Sequence, residues 1–273
     1  MRRLLGSGLV ILVSVLAGCA DNASENSSSV PFNVVVSANA TLSATEPLPT
    51  YTSEYQALYA IGLRGAQTAA PWKALNPTGT IYDLTMLTNA YFGLDALAGY
   101  GFTRVLLNLP IIAINARSMP ADIEALAFND AAVKARYRAL IDQVAPLLNS
   151  RVTYVSLGNE VDTYLSTHAS EWGQYKELIE DARTYLKSVN PDVLVGVTTT
   201  FEGASSTDVS NVASLNENMD VVIYTYYPLD FSTVTARDPS TVSADMAVMV
   251  SLANGKPLVV QGIGVSVQYG RVG

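Results

Sequence analysis

Charged residues, cysteine and histidine are scarce in this sequence. Asp, Glu, Lys and Arg together make up 15% of its 273 residues, and the formal net charge is −8. An acidic chain with few basic residues lacks the positive face that nucleic acids require, so we expect no nucleic-acid partner. Cys19 is the only cysteine and His168 the only histidine. An internal disulfide is therefore impossible, and a metal site built on histidines is not expected.

A glycine-rich phosphate loop is also missing after every predicted strand, so the sequence gives no sign of a nucleotide. We expect no cofactor and no metal. His168 lies in a loop rich in Thr and Ser, without partner histidines, and is predicted to be exposed.

Apolar residues are abundant, at 49% of the chain. This is ample for a hydrophobic core and too apolar for a disordered protein, and the length allows one large domain or two small ones. Fifteen Tyr stand against six Phe. A tyrosine offers both a stacking face and a hydroxyl, which suits sugars, but it is also ordinary core material.

The N-terminus has the pattern of a secretory signal. Arg2 and Arg3 precede an apolar run over 4–17, which is too short for a membrane span and is followed at once by polar residues. The letters "LAGC", ending at Cys19, resemble a bacterial lipobox. That resemblance implies cleavage before Cys19 and lipid attachment to it. The alternative is a plain signal peptide with an incidental cysteine.

Three segments follow from this pattern. We expect a lipoprotein signal peptide at 1–18, a flexible Ser/Asn-rich tether at 19–31 and a single enzyme-like domain at 32–273. The protein would then be a monomer in the cell membrane or outer membrane, held only by its lipid anchor and facing the periplasm or the exterior.

Apolar strand-like segments alternate with helix-like segments along the rest of the chain. Continuous apolar strands separated by helices predict parallel strands buried on both faces. Seven such units favour a (β/α)8 TIM barrel, whose functional residues lie at the carboxyl ends of the strands. A doubly wound sheet is the alternative. The predicted strands are 32–37, 63–68, 104–109, 152–157, 193–199, 220–227 and 258–263, and the predicted helices are 53–61, 83–98, 130–148, 171–189, 208–215 and 242–253.

The stretch "RVTYVSLGNEVD" places an amide and a carboxylate, Asn159 and Glu160, where an apolar strand ends. A charge at the edge of a core is costly unless it is paired or used. "GNE" at the end of the fourth strand resembles the clan of retaining glycoside hydrolases built on the TIM barrel, in particular its endo-galactanase-like and cellulase-like members. The resemblance implies that Asn159 holds the sugar 2-hydroxyl and that Glu160 is the general acid/base. The alternative for both residues is a loop cap or a surface carboxylate.

Other segments carry the same resemblance over most of the chain after Tyr51. They are "APWKALNPTGTIYD" at 70–83, "LLNLPI" at 106–111, "YTYYPLD" at 224–230 and "KPLVVQGIG" at 256–264. A polysaccharide or oligosaccharide partner is therefore expected.

Several further residues are candidates for sugar binding. Trp72 is predicted either to stack on a sugar or to plug the barrel mouth, and Asn108 either to bond a hydroxyl or to cap a turn. Tyr226 and Tyr227 must face opposite sides of their strand, so one of them is expected in the site. Asp162 belongs either to the same mouth or only to the loop.

The family pattern breaks at the seventh strand. The resemblance implies a nucleophilic Glu at the position of Gly262, and glycine has no group that can attack an anomeric carbon. The sequence also ends at Gly273 before an eighth strand, so we expect a C-terminally incomplete barrel. A one-base shift within "VSVQYG" at 265–270 permits "YPSSTG", which would continue the family pattern and indicates a frameshift.

Three kinds of function remain open on this basis. The chain is a surface-anchored glycoside hydrolase impaired by Gly262, a non-catalytic carbohydrate-binding lipoprotein, or a structural surface domain. Asn159 and Glu160 favour the first two over the third, and Gly262 separates the first from the second.

Replacing Cys19 with Ala tests the lipobox. We expect the variant to leave the membrane fraction and to lose incorporation of labelled lipid, because the thiol is the attachment point. Full membrane retention with unchanged labelling would contradict the lipoprotein assignment.

Resequencing the gene tests the frame break near Val265. A downstream frame that encodes a barrel-closing strand is the expected result. A stop codon directly after Gly273, with a matching intact mass of the mature protein, would count against it.

Overall fold

The computed structural model describes residues 32–34, 49–148, 152–230 and 235–263. The predicted signal peptide, the tether with Cys19 and the segment 264–273 lie outside these ranges. Within them the chain is an α/β structure of parallel strands covered by helices. The strands are β1 (Phe32–Val34), β2 (Gly65–Ala69), β3 (Arg104–Asn108), β4 (Ile112–Ala113), β5 (Ala116–Arg117), β6 (Val152–Ser156), β7 (Leu194–Gly196), β8 (Thr198–Thr200), β9 (Val222–Tyr226), β10 (Leu229–Asp230), β11 (Thr235–Ala236) and β12 (Leu258–Ile263).

The described helices connect the strands along the chain. They are α1 (Pro49–Ala60), α2 (Trp72–Leu75), α3 (Thr85–Thr88), α4 (Leu94–Gly99), α5 (Ala131–Val144), α6 (Val161–Leu165), α7 (Trp172–Val189), α8 (Val209–Asn216) and α9 (Val242–Leu252). None of them is long and apolar enough to cross a bilayer.

The long strands form two four-stranded parallel sheets, in the orders β2-β3-β6-β7 and β1-β12-β9-β8. The sheets meet at Val197, where one extended segment pairs with β6 through its first half and with β9 through its second. From β2 to β12 the neighbours follow chain order without reversal. A doubly wound sheet reverses its strand order, so that alternative is wrong.

A small apolar cluster lies on the inner face of both sheets. Strand side chains alternate between faces, and β3, β6, β9 and β12 each place one buried residue in this cluster, with one more from the position before β9. Its buried members are Leu106, Tyr154, Val221, Ile223 and Val259. A much larger cluster lies between the outer faces of the strands and the helices. The strands are therefore buried on both sides, as their continuous apolar runs predict.

Two tyrosines on the outer helices fix the ends of the central strands. Helix α5 begins at a cap in which a side-chain oxygen of Asp130 accepts the backbone N–H of Ala132 at 2.7 Å. From this helix Tyr137 donates its hydroxyl to the carbonyl of Leu109 at 2.8 Å. Tyr175 on α7 donates likewise to the carbonyl of Leu157 at 3.1 Å. Both hydroxyls satisfy carbonyls just beyond a strand, where the ladder has ended.

The predicted helix over 83–98 is wrong as a single element. The chain forms two short helices, α3 and α4, separated at 89–93. Oδ1 of Asn89 accepts the backbone N–H groups of Tyr91 and Phe92, which is a turn that competes with the helix. Gly93 allows the turn to close, because a Cβ there would lie 2.4 Å from the backbone oxygen of Asn89.

Candidate active site

A cleft of about 460 Å³ opens at the carboxyl ends of β6, β8 and β9. Its walls come from the segments that follow these strands and from the β4–β5 and β10–β11 hairpins. The lining residues with polar side chains include Glu160, Asp162, Thr200, Glu202, Thr225, Tyr227 and Arg237. This position is the place at which parallel α/β folds present their functional groups.

Glu160 directly precedes α6 and adopts a left-handed conformation, with φ 50° and ψ 47°. Ile114, another cleft residue, has φ 58°. For a β-branched residue this conformation is strained, and such strain persists only where the surroundings impose it. The backbone carbonyl of Glu160 accepts the N–H of Thr163 at 3.1 Å, whereas its carboxyl group forms no hydrogen bond and no ion pair with another residue of the described ranges. Its carboxyl group is half-buried and available to a ligand in the cleft.

The backbone of Asn159 is clamped by the β4–β5 hairpin. Its N–H donates to the carbonyl of Ile112 at 2.9 Å, and its carbonyl accepts the N–H of Ile114 at 2.7 Å. The bridge between Ala113 and Asn159 is parallel. The hairpin therefore holds the residue just before Glu160. Ile114 and Glu160 each follow one member of the Ala113–Asn159 bridge, and the bridge imposes the left-handed backbone on both.

The side chain of Asn159 joins a buried polar network. Its Oδ1 accepts Nδ2 of Asn108 at 3.2 Å and Nε2 of Gln261 at 2.6 Å. Oε1 of Gln261 accepts the hydroxyl of Thr198 at 2.5 Å, and Ser156 lies 2.8 Å from that hydroxyl. With Oδ1 occupied, Nδ2 of Asn159 has no partner among the described residues and can donate to a ligand hydroxyl.

The end of β12 carries a bulge between Val260 and Gly262. A bulge adds one residue and changes which side chains face a given side of the sheet. Gln261 therefore enters the polar network, while Gly262 lies next to Thr225 and Tyr227, two residues that line the cleft. A Cβ at Gly262 would lie 3.4 Å from Oη of Tyr227 and 3.7 Å from Cγ2 of Thr225. Both are ordinary contact distances, so a Cβ atom fits here without displacing a neighbour.

Tyr226 and Tyr227 lie on opposite sides of their strand, as alternation requires. Tyr226 is buried and donates its hydroxyl to Asp245 on α9 at 2.6 Å, and burial followed by this bond raises its pKa to about 12. Tyr227 is 41% exposed in the cleft beside Gly262. Its pKa is raised by partial burial and by the negative charge of Glu160, which keeps the phenol protonated as a donor.

Asp162 lies in the wall of the cleft and not only in the loop. It accepts the backbone N–H of Thr200 at 2.9 Å and also the hydroxyl of Thr200. Burial raises the pKa of its carboxyl group, against the effect of these bonds. Gly203 permits the close approach, because a Cβ there would lie 2.2 Å from Oδ2 of Asp162. Asp162 thus fixes β8 against α6.

Three of the sequence candidates lie away from the open cleft. Trp72 is fully buried, with its ring edge-on to Tyr137 at 4.9 Å, so it packs in the core and has no surface for stacking on a sugar. Asn108 is buried and positions Asn159. His168 is exposed and stacks on Tyr164 with 4.0 Å between the ring centroids.

Other residues around the site were not singled out from the sequence. Thr225 lines the cleft, and Gln261 and Thr198 belong to the buried network behind it. All three are uncharged strand residues with no motif of their own. Glu202 and Arg237 also line the cleft, and each follows the end of a strand, which is a weak sequence signal for a site residue. Across the part of the chain that the structure describes, no group of three or more His, Cys, Asp or Glu side chains could hold a metal ion.

No protein-family model and no curated protein sequence matches the chain. Solved structures do match. The exo-β-1,4-mannosidase Op5Man5 from Opitutaceae bacterium strain TAV5 aligns with a TM-score of 0.67 and 18% identity, over 88% of this chain and 46% of that protein. GH5_18 from Streptomyces cattleya in complex with GlcNAc aligns with a TM-score of 0.62 and 12% identity, over 87% of this chain and 71% of that protein.

A β-glucosidase, 1317, aligns with a TM-score of 0.59 and 13% identity, over 81% of this chain and 70% of its own. The chain spans about half the length of Op5Man5 and of a second Streptomyces cattleya GH5_18 structure, in complex with Manb1-4GlcNAc. At these identities the likeness concerns the fold alone. The chain has the fold of glycoside hydrolases.

Gly158→Ala tests how tightly the strand end beneath Glu160 is packed. The added methyl group would lie 2.3 Å from Cγ1 of Val161 and 2.4 Å from Oη of Tyr175. We expect the free energy of unfolding to fall by about 1–3 kcal/mol, measured by chemical denaturation, because overpacking forces the neighbours to shift.

Gly173→Ala, on α7, is the matched control. Nothing lies within 4 Å of its Cβ position, and alanine is favoured over glycine in a helix by up to about 1 kcal/mol. Equal stability of the two variants would show that Gly158 is not constrained by Tyr175.

Proposed function

We propose that this protein is a lipid-anchored, glycoside hydrolase-like protein that acts on O-glycosidic bonds of a polysaccharide or oligosaccharide, with Glu160 as the general acid/base. Its hydrolysis is impaired because position 262, where the retaining enzymes have their nucleophile, is glycine. The proposal needs no cofactor. Anchoring through Cys19 rests on the sequence pattern at the N-terminus.

The observation that carries the proposal is that Glu160 and Tyr227 line one cleft and that Gly262 lies beside the same tyrosine. Oη of Tyr227 lies 3.4 Å from the Cβ position of Gly262, and the charge of Glu160 acts on the same phenol. A retaining glycosidase places its two carboxyl groups about 5 Å apart, on either side of the scissile bond. A carboxylate at position 262 would lie next to Tyr227, on which the charge of Glu160 also acts, and this supports placing the pair here.

A (β/α)8-type barrel is the architecture that we propose for the whole domain. The inner cluster supports it, because Leu106 of β3 and Val259 of β12 belong to the same cluster although they lie in different sheets. Such contact requires the two sheets to curve around a common interior. In an eight-stranded barrel an additional strand would enter between β12 and β1, which pair directly here.

Asn159 and Tyr227 are the groups that we assign to sugar recognition. Nδ2 of Asn159 is available to donate to the hydroxyl next to the anomeric carbon, and Tyr227 presents an exposed ring and hydroxyl. The similar structures named above are a mannosidase, a β-glucosidase and a protein bound to GlcNAc. β-Linked pyranosides are therefore the substrates to test first.

A non-catalytic carbohydrate-binding lipoprotein is the second candidate. The specific observation in its favour is that Asn108 and Gln261 hold the side chain of Asn159 in place while position 262 lacks a carboxylate. Sugar would then bind without bond cleavage.

Gly262→Glu tests the assignment of the site. We expect the wild-type chain to release almost no nitrophenol from aryl β-glucosides, β-mannosides and β-galactosides. The variant should hydrolyse at least one of them, since the new carboxylate can form the covalent intermediate. Gly262→Gln is the isosteric control and should remain inactive.

In the Gly262→Glu background, Glu160→Gln should lower kcat/KM for glycosides with poor leaving groups by about 10²–10⁴-fold, because the amide cannot transfer a proton. Full hydrolysis by the wild-type chain, undiminished by Glu160→Gln, would show that the site lies elsewhere.

A further inference from the structure

A second cavity, which we call the outer cavity, lies over the outer face of β9, away from the candidate active site. Its volume is about 520 Å³, which is within the range of sites for small molecules. Helix α8, the turn after α9 and the outer face of β9 form its walls. Most of the lining is aliphatic and comes from Ala204, Val209, Val212, Ala213, Val222, Leu252 and Ala253.

Tyr224 brings a hydroxyl without a partner to this cavity. Its neighbour Ile223 belongs to the inner cluster, so the alternation of strand side chains turns Tyr224 outward. The residue is 2% exposed, and its hydroxyl forms no hydrogen bond with any residue of the described ranges. Burial raises the pKa of the phenol, which therefore stays protonated. A buried tyrosine usually bonds its hydroxyl, so this one lacks an acceptor.

Asn216, the last residue of α8, brings a second unsatisfied group. It is 7% exposed and lines the cavity, and its Oδ1 is buried without a hydrogen-bond partner. Its Nδ2 has no partner among the described residues either. Because no hydrogen bond fixes the orientation of the amide, a rotation can offer the cavity either a donor or an acceptor. Buried polar groups normally have partners, and a ligand can supply the missing one.

The charged residues of the lining, Lys256 and Glu217, are already engaged. Nζ of Lys256 donates to the backbone carbonyls of Asn216 and Glu217 at 2.6 and 2.7 Å. The carboxylate of Glu217 accepts Lys176 at 2.6 Å. A charged ligand would find no free counter-charge here and would lose its hydration against aliphatic walls. Tyr224 is the one aromatic residue among the described residues of the lining, and it is too enclosed to offer a ring face to a sugar.

The chain between β8 and α8 separates the outer cavity from the cleft of the candidate active site. Phe201 and Glu202 line the cleft, whereas Ala204 and Val209 line the outer cavity. Phe201 also meets Tyr224 edge-on, with 6.5 Å between the ring centroids. A molecule in the outer cavity would therefore lie against the back of the cleft wall.

We propose that the outer cavity binds an uncharged molecule with an aliphatic body and one hydroxyl or carbonyl head, and that its binding stiffens the wall shared with the cleft. The head accepts the hydroxyl of Tyr224 and bonds the amide of Asn216. The body lies along the aliphatic walls. The site uses neither Glu160 nor Gly262, so the inference is independent of the proposed function.

The experiment titrates the full chain with 1-octanol and 2-octanone in a calorimeter. Octanoate and octylammonium, which have the same chain length, are titrated for comparison. We expect saturable binding of both uncharged probes and affinities at least about tenfold weaker for the charged ones, because their heads lose hydration without gaining a partner. Hydrogen exchange of the backbone amides at 203–209 should slow when 1-octanol is bound, since this segment is the shared wall.

Variants locate the site. Tyr224→Phe should weaken binding of both uncharged probes by about 5–10-fold, which is the worth of one hydrogen bond. Tyr185→Phe is its matched control, since that hydroxyl bonds Asp142 away from the cavity. Ala213→Leu, at an exposed position of the lining, should remove measurable binding because the added side chain occupies the place of the ligand. Ala247→Leu, exposed on α9 outside the lining, should leave binding unchanged.

Four results would contradict the inference. Neither uncharged probe shows saturable binding, or a charged probe binds as tightly as 1-octanol, which would indicate a site for ions instead. Binding that persists unchanged in both Tyr224→Phe and Ala213→Leu would place the probes elsewhere. Binding in the cavity without slower exchange at 203–209 would overturn the effect on the shared wall.

Discussion

The carboxyl ends of β3, β6 and β12 are tied together through one amide oxygen, Oδ1 of Asn159. It accepts Asn108 from β3 and Gln261 from β12, and Gln261 in turn accepts the hydroxyl of Thr198 on β8. These groups are largely removed from water, where a bond that is lost leaves a polar atom unpaired and costs more than the bond contributes when made. The position of Glu160, the next residue in the chain, depends on this arrangement.

The sequence predicts most of the strands correctly because they are buried on both faces. Runs such as "VTYVS" at β6 and "VIYTY" at β9 are apolar or β-branched without interruption, and the structure confirms both. The segment 193–199 is predicted as one strand, but in the structure Val197 divides it between two sheets. Nothing in "VLVGVTT" marks that division. The helix predicted over 83–98 is wrong because local bonds from Asn89 outweigh helical periodicity.

The sequence predicts only some of the residues of the candidate site. Glu160 and Asn159 stand out because polar residues follow an apolar strand, and Tyr227 follows from alternation along β9. Gln261 and Gly262 could not both be assigned to the cleft in this way, since neighbouring strand residues face opposite sides unless a bulge intervenes. The left-handed backbone of Ile114 is equally invisible in the sequence, because no glycine or asparagine marks it.

Packing restricts the residue type at position 262 less than it does at three other glycines. Gly158, Gly196 and Gly203 would each place a methyl group within 2.5 Å of a neighbour, so selection on folding alone holds these residues. At Gly262 a Cβ would lie 3.4 Å from its nearest neighbour, so packing around that position does not require glycine. Under the proposed function, a change at this single codon would add or remove a carboxylate of the site without the close contacts that a methyl group meets at the other three glycines.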